Sequence, residues 1–131
     1  MVSDMPIQTQ RLYERVVGEL RDRLVANLGD ELDTIVLYGS VARREGDVDS
    51  DIDLLIIGRN KRALYERAAD IRFATDLEHE TLTTLIVFTP EQFERSLSLG
   101  EPLLLEVLRE GRVLYGESKF SRYQRALQAL R

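Results

Sequence analysis

The run Ile52 to Ile57 (IDLLII) is short, rich in apolar residues and ended by Gly58. It predicts a β-strand that is buried on both faces, because a strand with one solvated face would alternate apolar and polar residues. The runs Thr34 to Tyr38 (TIVLY) and Thr83 to Phe88 (TTLIVF) have the same β-rich character. Helical segments separate the three runs, so the chain is predicted to form an α/β or α+β domain.

The helical segments carry apolar residues at three- and four-residue spacing, as amphipathic helices do. In Ile7 to Leu28 a leucine or valine stands at every fourth position from Leu12 onward. Ser40 is expected to cap a short helix that Gly46 closes, and Ser118 to cap the last helix. The other predictions are helices over 61–78, after Pro90, over 103–109 and over 119–130, with an edge strand over 113–115.

Length and composition exclude several classes of protein. A chain of 131 residues with net charge −5 is the size of one domain, taken as 1–131, and lacks the basic excess of a nonspecific nucleic-acid binder. With no cysteine and with His79 as the single histidine, disulfides, thiolate metal sites and multi-histidine zinc sites are excluded. His79 itself is expected to be a solvated surface residue. No run approaches a membrane span, and MVSDMPIQTQ lacks the features of a signal peptide, so a cytoplasmic location is expected.

Two aspartates stand at the start of the Ile52 strand. Asp51 and Asp53 are two positions apart, so their side chains share one face of the strand. Two carboxylates held this close repel each other unless a cation lies between them, and Mg²⁺ prefers such oxygen ligands. The pair therefore predicts a metal site. Asp47 and Asp49 are expected to be turn residues.

Gly39 and Ser40 follow the first predicted strand. Glycine lets the backbone approach a phosphate closely, and the start of a helix offers N–H groups and a hydroxyl to phosphate oxygens. Each feature alone is common in proteins without such a function. If the first two strands are neighbours, a triphosphate can span the Gly39–Ser40 turn and the aspartate pair.

These residues resemble a known signature. Gly39-Ser40, ten intervening residues and Asp51-Ile52-Asp53 are similar to the GS-x10-DxD motif of the DNA polymerase β-like nucleotidyltransferase superfamily. The segments LYGSVAR (37–43) and SDIDLL (50–55) resemble its minimal nucleotidyltransferase branch, as does EGRVLYG (110–116).

The resemblance implies a fold, a reaction and a partner. The fold is a small mixed β-sheet flanked by helices, and the reaction transfers a nucleoside monophosphate from an NTP, such as AMP from ATP, to an acceptor hydroxyl. Asp51 and Asp53 would be the catalytic residues and hold two Mg²⁺ ions, while Gly39, Ser40 and Arg43 would bind the nucleotide. Members of the branch often pair with a helical HEPN protein as toxin–antitoxin systems, and in some the nucleotidyltransferase is the antitoxin and adenylylates a toxin tyrosine, which implies a protein partner of that type.

The sequence departs from this pattern at two positions. Arg44 stands where the family often has glycine, and the strand 83–88 lacks the third carboxylate, with Thr84 at the expected point. Glu80, four residues earlier, would lie about 13 Å away along the strand. A catalytically degraded domain that only binds nucleotide or partner is therefore the alternative, and a small-molecule-modifying enzyme is a third.

The last helix leaves a further question open. Its apolar side, Phe120, Tyr123, Leu127 and Leu130, is expected to pack on the sheet. The same side could instead bind a partner helix or a second subunit, so a homo-oligomer is possible.

Overall fold

A computed structural model describes residues 4–130; residues 1–3 and 131, the ends of the predicted domain, lie outside this part. The elements follow one another as α1 (Ile7–Leu28), β1 (Leu32–Tyr38), α2 (Gly39–Ala42), β2 (Ile52–Gly58), α3 (Lys61–His79), β3 (Thr83–Phe88), α4 (Pro90–Ser98), α5 (Pro102–Glu110), β4 (Arg112–Tyr115) and α6 (Glu117–Ala129). A short 3-10 helix, Gly29–Glu31, joins α1 to β1. The predicted helices and strands are all present, and most of their ends lie within two residues of the prediction.

The predicted helix caps are wrong at two serines. Helix α2 begins at Gly39 and α6 at Glu117, so Ser40 and Ser118 lie inside the first turns and neither caps its helix. The first helical carbonyl of α2 is that of Gly39, which accepts from the Arg43 N–H. Helix α2 also ends at Ala42 instead of reaching Glu45, because the next residues turn away through Arg44.

The four strands form one mixed sheet in the order β3-β2-β1-β4. Strand β1 is antiparallel to both β2 and β4, whereas β2 and β3 run parallel and are joined through α3. The central strand β2 is buried on both faces after its first residues, as its unbroken apolar run predicts. This confirms the predicted mixed sheet flanked by helices.

Helices cover both faces of the sheet and form two apolar cores. Helices α1 and α3 pack on one face, against β-strand residues that include Ile35, Ile52 and Leu54. Helices α4, α5 and α6 pack on the other, around Val36, Leu55 and neighbouring apolar residues. Phe120 and Tyr123 of α6 belong to this second core, so the apolar side of the last helix packs on the sheet.

Within residues 4–130, no helix has both the length and the apolar composition needed to cross a membrane.

Candidate active site

The antiparallel pairing of β1 and β2 brings the predicted site residues together. Tyr38, the last residue of β1, lies opposite Asp53 near the start of β2. The Gly39–Ser40 turn, which follows Tyr38, therefore lies beside the aspartates at the start of β2. Asp53 shares a sheet face with Tyr38, while Ile52 points into the core on the opposite face. Asp51 is exposed and Asp53 is half-buried, so the pair lies at the surface end of a buried strand.

Gly39 is needed at its position for two reasons. Its φ of +78° lies in the left-handed region that favours glycine. A β-carbon at Gly39 would also overlap with Oδ2 of Asp53. The glycine therefore makes room for the Asp53 carboxylate, a contact that the sequence argument about phosphate approach did not foresee.

Strand β3 places Thr84 beside Asp53. The two residues are partners in the parallel β2–β3 register, and the Thr84 hydroxyl donates a hydrogen bond of 2.6 Å to Oδ1 of Asp53. Thr84 thus lies at the predicted position of the third carboxylate. Glu80 lies before the strand, at the C-terminal end of α3 with φ +55°, so it does not replace that ligand.

The donor atoms fit a hard divalent cation incompletely. Asp53 offers its carboxylate from β2, Asp51 directly precedes that strand, and carboxylate oxygens are ligands that suit Mg²⁺. Among residues 4–130 the one group of three or more carboxylate or imidazole ligands within 4.8 Å of one another is Glu19, Glu78 and His79, which joins α1 to the end of α3 and does not include Asp51 or Asp53. The candidate site therefore has two anionic ligands and one neutral hydroxyl.

The loop before Asp51 is held by turn chemistry and by a tyrosine. Asp47 accepts a hydrogen bond from the Asp49 N–H (2.9 Å), which confirms the prediction of turn residues. The Tyr13 hydroxyl lies 2.8 Å from the carbonyl oxygen of Val48 and 2.7 Å from that of Ser50. Burial raises the pKa of Tyr13, and the carboxylates of the loop raise it further. Tyr13 was not predicted, because its partners are more than 30 residues away in sequence.

Arg43 lies among carboxylates. Its guanidinium is 3.1 Å from Glu45 and 3.2 Å from Glu110, and Glu106 lies at 3.9 Å. The hydrogen bond with Glu45 is the main reason that the pKa of Arg43 is raised. These ion pairs tie α2 to α5, so a phosphate at Arg43 would have to compete with them.

Tyr38 is a further residue of the site that the sequence did not identify. It is 7% exposed and lies on the same sheet face as Asp53. The pKa of Tyr38 is raised to about 12, mainly by burial and also by the charges of Asp53 and Glu106, while a hydrogen bond with Thr84 acts in the opposite direction. Tyr38 is therefore a neutral hydroxyl near pH 7, beside the Thr84–Asp53 contact.

In the cluster of Glu19, Glu78 and His79, the two carboxylates are paired with a neighbouring arginine. Arg23 lies 3.1 Å from Glu19 and 3.0 Å from Glu78, and His79 contacts Glu19 directly. His79 is therefore half-buried between α1 and α3, and the expectation of a solvated histidine is wrong. The cluster ties these two helices together.

Comparison with known families identifies the chain. The family model described as polymerase beta, nucleotidyltransferase matches residues 23–120, which span the turn, the aspartate pair and all four strands. The chain belongs to this family. The resemblance seen in the GS-x10-DxD spacing is thereby confirmed.

Two proteins of Methanocaldococcus jannaschii, both named as candidate protein adenylyltransferases, are similar in sequence. One is 31% identical over 75 residues, which is 56% of this chain and 76% of the relative. The other is 29% identical over 102 residues, 78% of this chain and 97% of the relative. This polymerase β nucleotidyltransferase therefore spans most of the length of both.

Solved structures of toxin–antitoxin proteins share the fold. One, crystallised with AMP-PNP, is 16% identical with a TM-score of 0.61, over 86% of this chain and 85% of that one. Another, from the MntA-HepT toxin–antitoxin, is also 16% identical, with a TM-score of 0.54 over 87% and 84%. At these identities the likeness establishes the fold, which is that of the polymerase β-like nucleotidyltransferases.

Proposed function

We propose that this nucleotidyltransferase is a Mg²⁺-dependent protein adenylyltransferase that transfers AMP from ATP to a hydroxyl of a protein partner. We further propose that residues 1–131 act as one catalytic domain in the cytoplasm, and that the partner is a helical HEPN-type toxin which this chain neutralises as its antitoxin. Relatives named as adenylyltransferases and structural neighbours described as toxin–antitoxin proteins support this choice.

The observation that carries the proposal is the meeting of two features at one end of the sheet. The Gly39–Ser40 turn leaves β1 where Asp51 and Asp53 enter β2, and the Gly39 backbone packs against the Asp53 carboxylate. A nucleotide at this junction has its phosphates next to both backbone N–H groups and metal-binding oxygens. Neither feature alone would favour a nucleotide.

In the proposed reaction the acceptor hydroxyl oxygen bonds to the α-phosphorus of ATP, the bond to the β-phosphate oxygen breaks, and pyrophosphate leaves. Bound Mg²⁺ supplies charge stabilisation for the attacking and leaving oxygens. Asp51 and Asp53 hold the ions in place, and Gly39 and Ser40 bind the terminal phosphates. Arg43 is proposed as a further phosphate ligand. To bind phosphate, its guanidinium would give up its ion pairs with Glu45 and Glu110.

Thr84 makes a slow enzyme the expected outcome. Its hydroxyl donates to Asp53 where a third carboxylate would both bind metal and accept the acceptor's proton. The proton of the acceptor hydroxyl then passes to solvent or to a group that the partner supplies. The same observation favours the second candidate function, a domain that binds nucleotide or the partner without catalysis.

The test uses ATP labelled in the α-phosphate, Mg²⁺ and the protein encoded by the neighbouring gene. We expect label on the partner protein with the native chain and none with Asp51→Asn/Asp53→Asn. Asp47→Asn/Asp49→Asn is the matched control, since it makes the same change in the adjoining turn, and it should retain transfer. ATP labelled in the γ-phosphate should leave the partner unlabelled, which separates adenylylation from phosphorylation.

Two results would decide against the catalytic proposal. Transfer that survives in Asp51→Asn/Asp53→Asn would show that the aspartate pair is not the site. No transfer by the native chain, with partner binding intact in both chains, would establish the binding domain instead.

A further inference from the structure

Helix α3 carries apolar residues on two sides. Leu64, Ala68 and Ile71 face the core with α1. A second row, which we call the outer stripe, consists of Tyr65, Ala69, Phe73 and Leu77, at a regular spacing of four. Tyr65 is 44% exposed, Phe73 63% and Leu77 71%. A surface helix normally presents polar residues on its outer side, so an outer stripe of this kind marks a contact surface.

A groove continues the outer stripe onto the edge of the sheet. It has a volume of about 730 Å³ and lies between the first turns of α3 and the outer side of β3, with Tyr65 and Leu85 to Val87 in its wall. Strand β3 is an edge strand of the sheet. At the start of this edge, the N–H of Thr83 donates a hydrogen bond of 2.9 Å to the carboxylate of Asp76. The later part of the edge borders the groove.

The two ends of α3 have opposite charge. Lys61 and Arg62 stand in its first turn, beside the groove. Glu80 stands at the other end, three positions after Leu77, while the charge of the neighbouring Glu78 is balanced within the chain by Arg23 at 3.0 Å. The Arg62 side chain is 95% exposed, and its ion pair within the helix is with Glu66 at 3.5 Å. A solvent-exposed pair of this kind contributes little to stability, so Arg62 can pair with another group. The outer stripe therefore has a basic end and an acidic end.

We propose that the outer stripe is the interface of a homodimer, in which α3 of one chain packs antiparallel on α3 of a second copy around a two-fold axis near Ala69. A two-fold axis there places Tyr65 of one copy against Phe73 of the other. Within one helix these two residues are eight positions apart, which is about 12 Å. The basic end of each helix meets the acidic end of its mate. A surface with an apolar centre and opposite charges at its two ends is complementary to itself in this orientation.

The spacing of the outer stripe suits this packing. Rows of side chains four residues apart form ridges that fit between the ridges of a second helix. Ala69 at the centre allows the two helices to approach closely. The proposal is independent of the proposed function, because α3 lies on the sheet face opposite to Asp53 and Tyr38.

The first test measures the mass of the purified chain in solution over a concentration series, by light scattering after gel filtration. We expect twice the mass of one chain for the native protein and for Leu99→Arg, and the mass of a single chain for Leu77→Arg. Leu77 and Leu99 are both 71% exposed, so the two substitutions are matched in chemistry and exposure. Circular dichroism establishes that both variants are folded.

The second test probes the antiparallel orientation through charge. Arg62→Glu and Glu80→Arg should each be monomeric, since like charges then meet across the axis. Mixing the two variants should restore a dimer, because both contacts become attractive in the mixed pair. A native chain that is monomeric at all concentrations, a dimer that Leu77→Arg leaves intact, or no recovery on mixing would overturn the proposal. An outer stripe that binds only the neighbouring gene product would overturn it too.

Discussion

Among single residues, Thr84 has the largest influence on what the candidate site can do. Its hydroxyl lies 2.6 Å from Oδ1 of Asp53 and keeps that carboxylate in one orientation. A hydroxyl supplies no negative charge, so the proposed metal site has two carboxylates where the family pattern has three. Thr84 is therefore expected to lower the affinity for Mg²⁺ while it holds Asp53 in place.

Thr84→Asp should raise the affinity for Mg²⁺, on the order of tenfold. Without the ion, the added carboxylate repels Asp53 and lowers the stability of the chain. The melting temperature should consequently rise more with added Mg²⁺ in this variant than in the native protein. Isothermal titration calorimetry and thermal melts with and without Mg²⁺ measure both effects.

Thr84→Asn is the matched control for this prediction. It has the size of aspartate and no charge, so its response to Mg²⁺ should not exceed that of the native chain. Equal Mg²⁺ affinity in the aspartate and asparagine variants would show that position 84 does not face the metal.

Most residues of the candidate site were proposed from the sequence, and their roles stay predictions, whereas their contacts were not foreseen. Strand periodicity predicted that Asp51 and Asp53 share a face, and their nearness to Gly39 was expected only if the first two strands are neighbours. The packing of Asp53 against Gly39 depends on the antiparallel register of β1 and β2. Tyr38 and Tyr13 reach the site through neighbours distant in sequence, and local patterns carry no information about such contacts.

Among the elements, the end of α2 explains one departure from the family pattern. Arg44, which stands where the family often has glycine, has φ +56°. This left-handed conformation is strained for a residue with a β-carbon. The turn therefore requires a left-handed backbone conformation at position 44, whichever residue stands there. The elements on either side set the shape of the turn.

Arg44→Gly should be more stable than Arg44→Ala by about 1 kcal/mol, because only alanine keeps the β-carbon strain. Both variants lose the exposed contact between Arg44 and Glu14, 3.6 Å apart, so that loss cancels in the comparison. Urea denaturation of the two variants measures the difference. As a control, Ala63→Gly in helix α3 should lower the stability by about 1 kcal/mol, since glycine is less stable than alanine inside a helix. Equal stability of Arg44→Gly and Arg44→Ala would show that the backbone at position 44 is not strained.

The elements themselves were largely predictable and their caps were not. Helices α1 and α3 and strand β3 begin at the predicted residues, because long periodic segments and β-rich runs are strong local signals. The caps at Ser40 and Ser118 were wrong because the chain enters α2 and α6 two residues earlier, with Tyr38 and Gly116 at the cap positions. Residue preference is a weak guide where tertiary structure fixes the direction of the chain.

In the molecule as a whole, the core formed with α4, α5 and α6 buries Tyr38 beside the site. The pKa of Tyr38 is raised from its ordinary 10.0 to about 12, mainly by burial and also by the charge of Asp53. The folded chain therefore holds this proton more tightly than the unfolded chain does. Its contribution to stability is complete below pH 10 and is lost as the pH rises towards 12.

Tyr38→Phe should lose less stability than the native protein between pH 10 and 12, by about 2 kcal/mol. Urea denaturation at a series of alkaline pH values measures this difference. Tyr115→Phe, which removes a hydroxyl on β4 away from both the site and the outer stripe, should follow the native curve. Parallel curves for Tyr38→Phe and the native chain would show that the Tyr38 proton is not linked to folding.

The crossover from β2 through α3 to β3 separates the outer stripe from the aspartate pair. It carries α3 to the side of the sheet away from Asp53, while α4, α5 and α6 border the side on which Asp53 lies. A second copy held along α3 would leave the aspartate pair open to solvent. A pair of chains could thus present two independent reaction centres facing outward, each able to receive its own target without separating the pair.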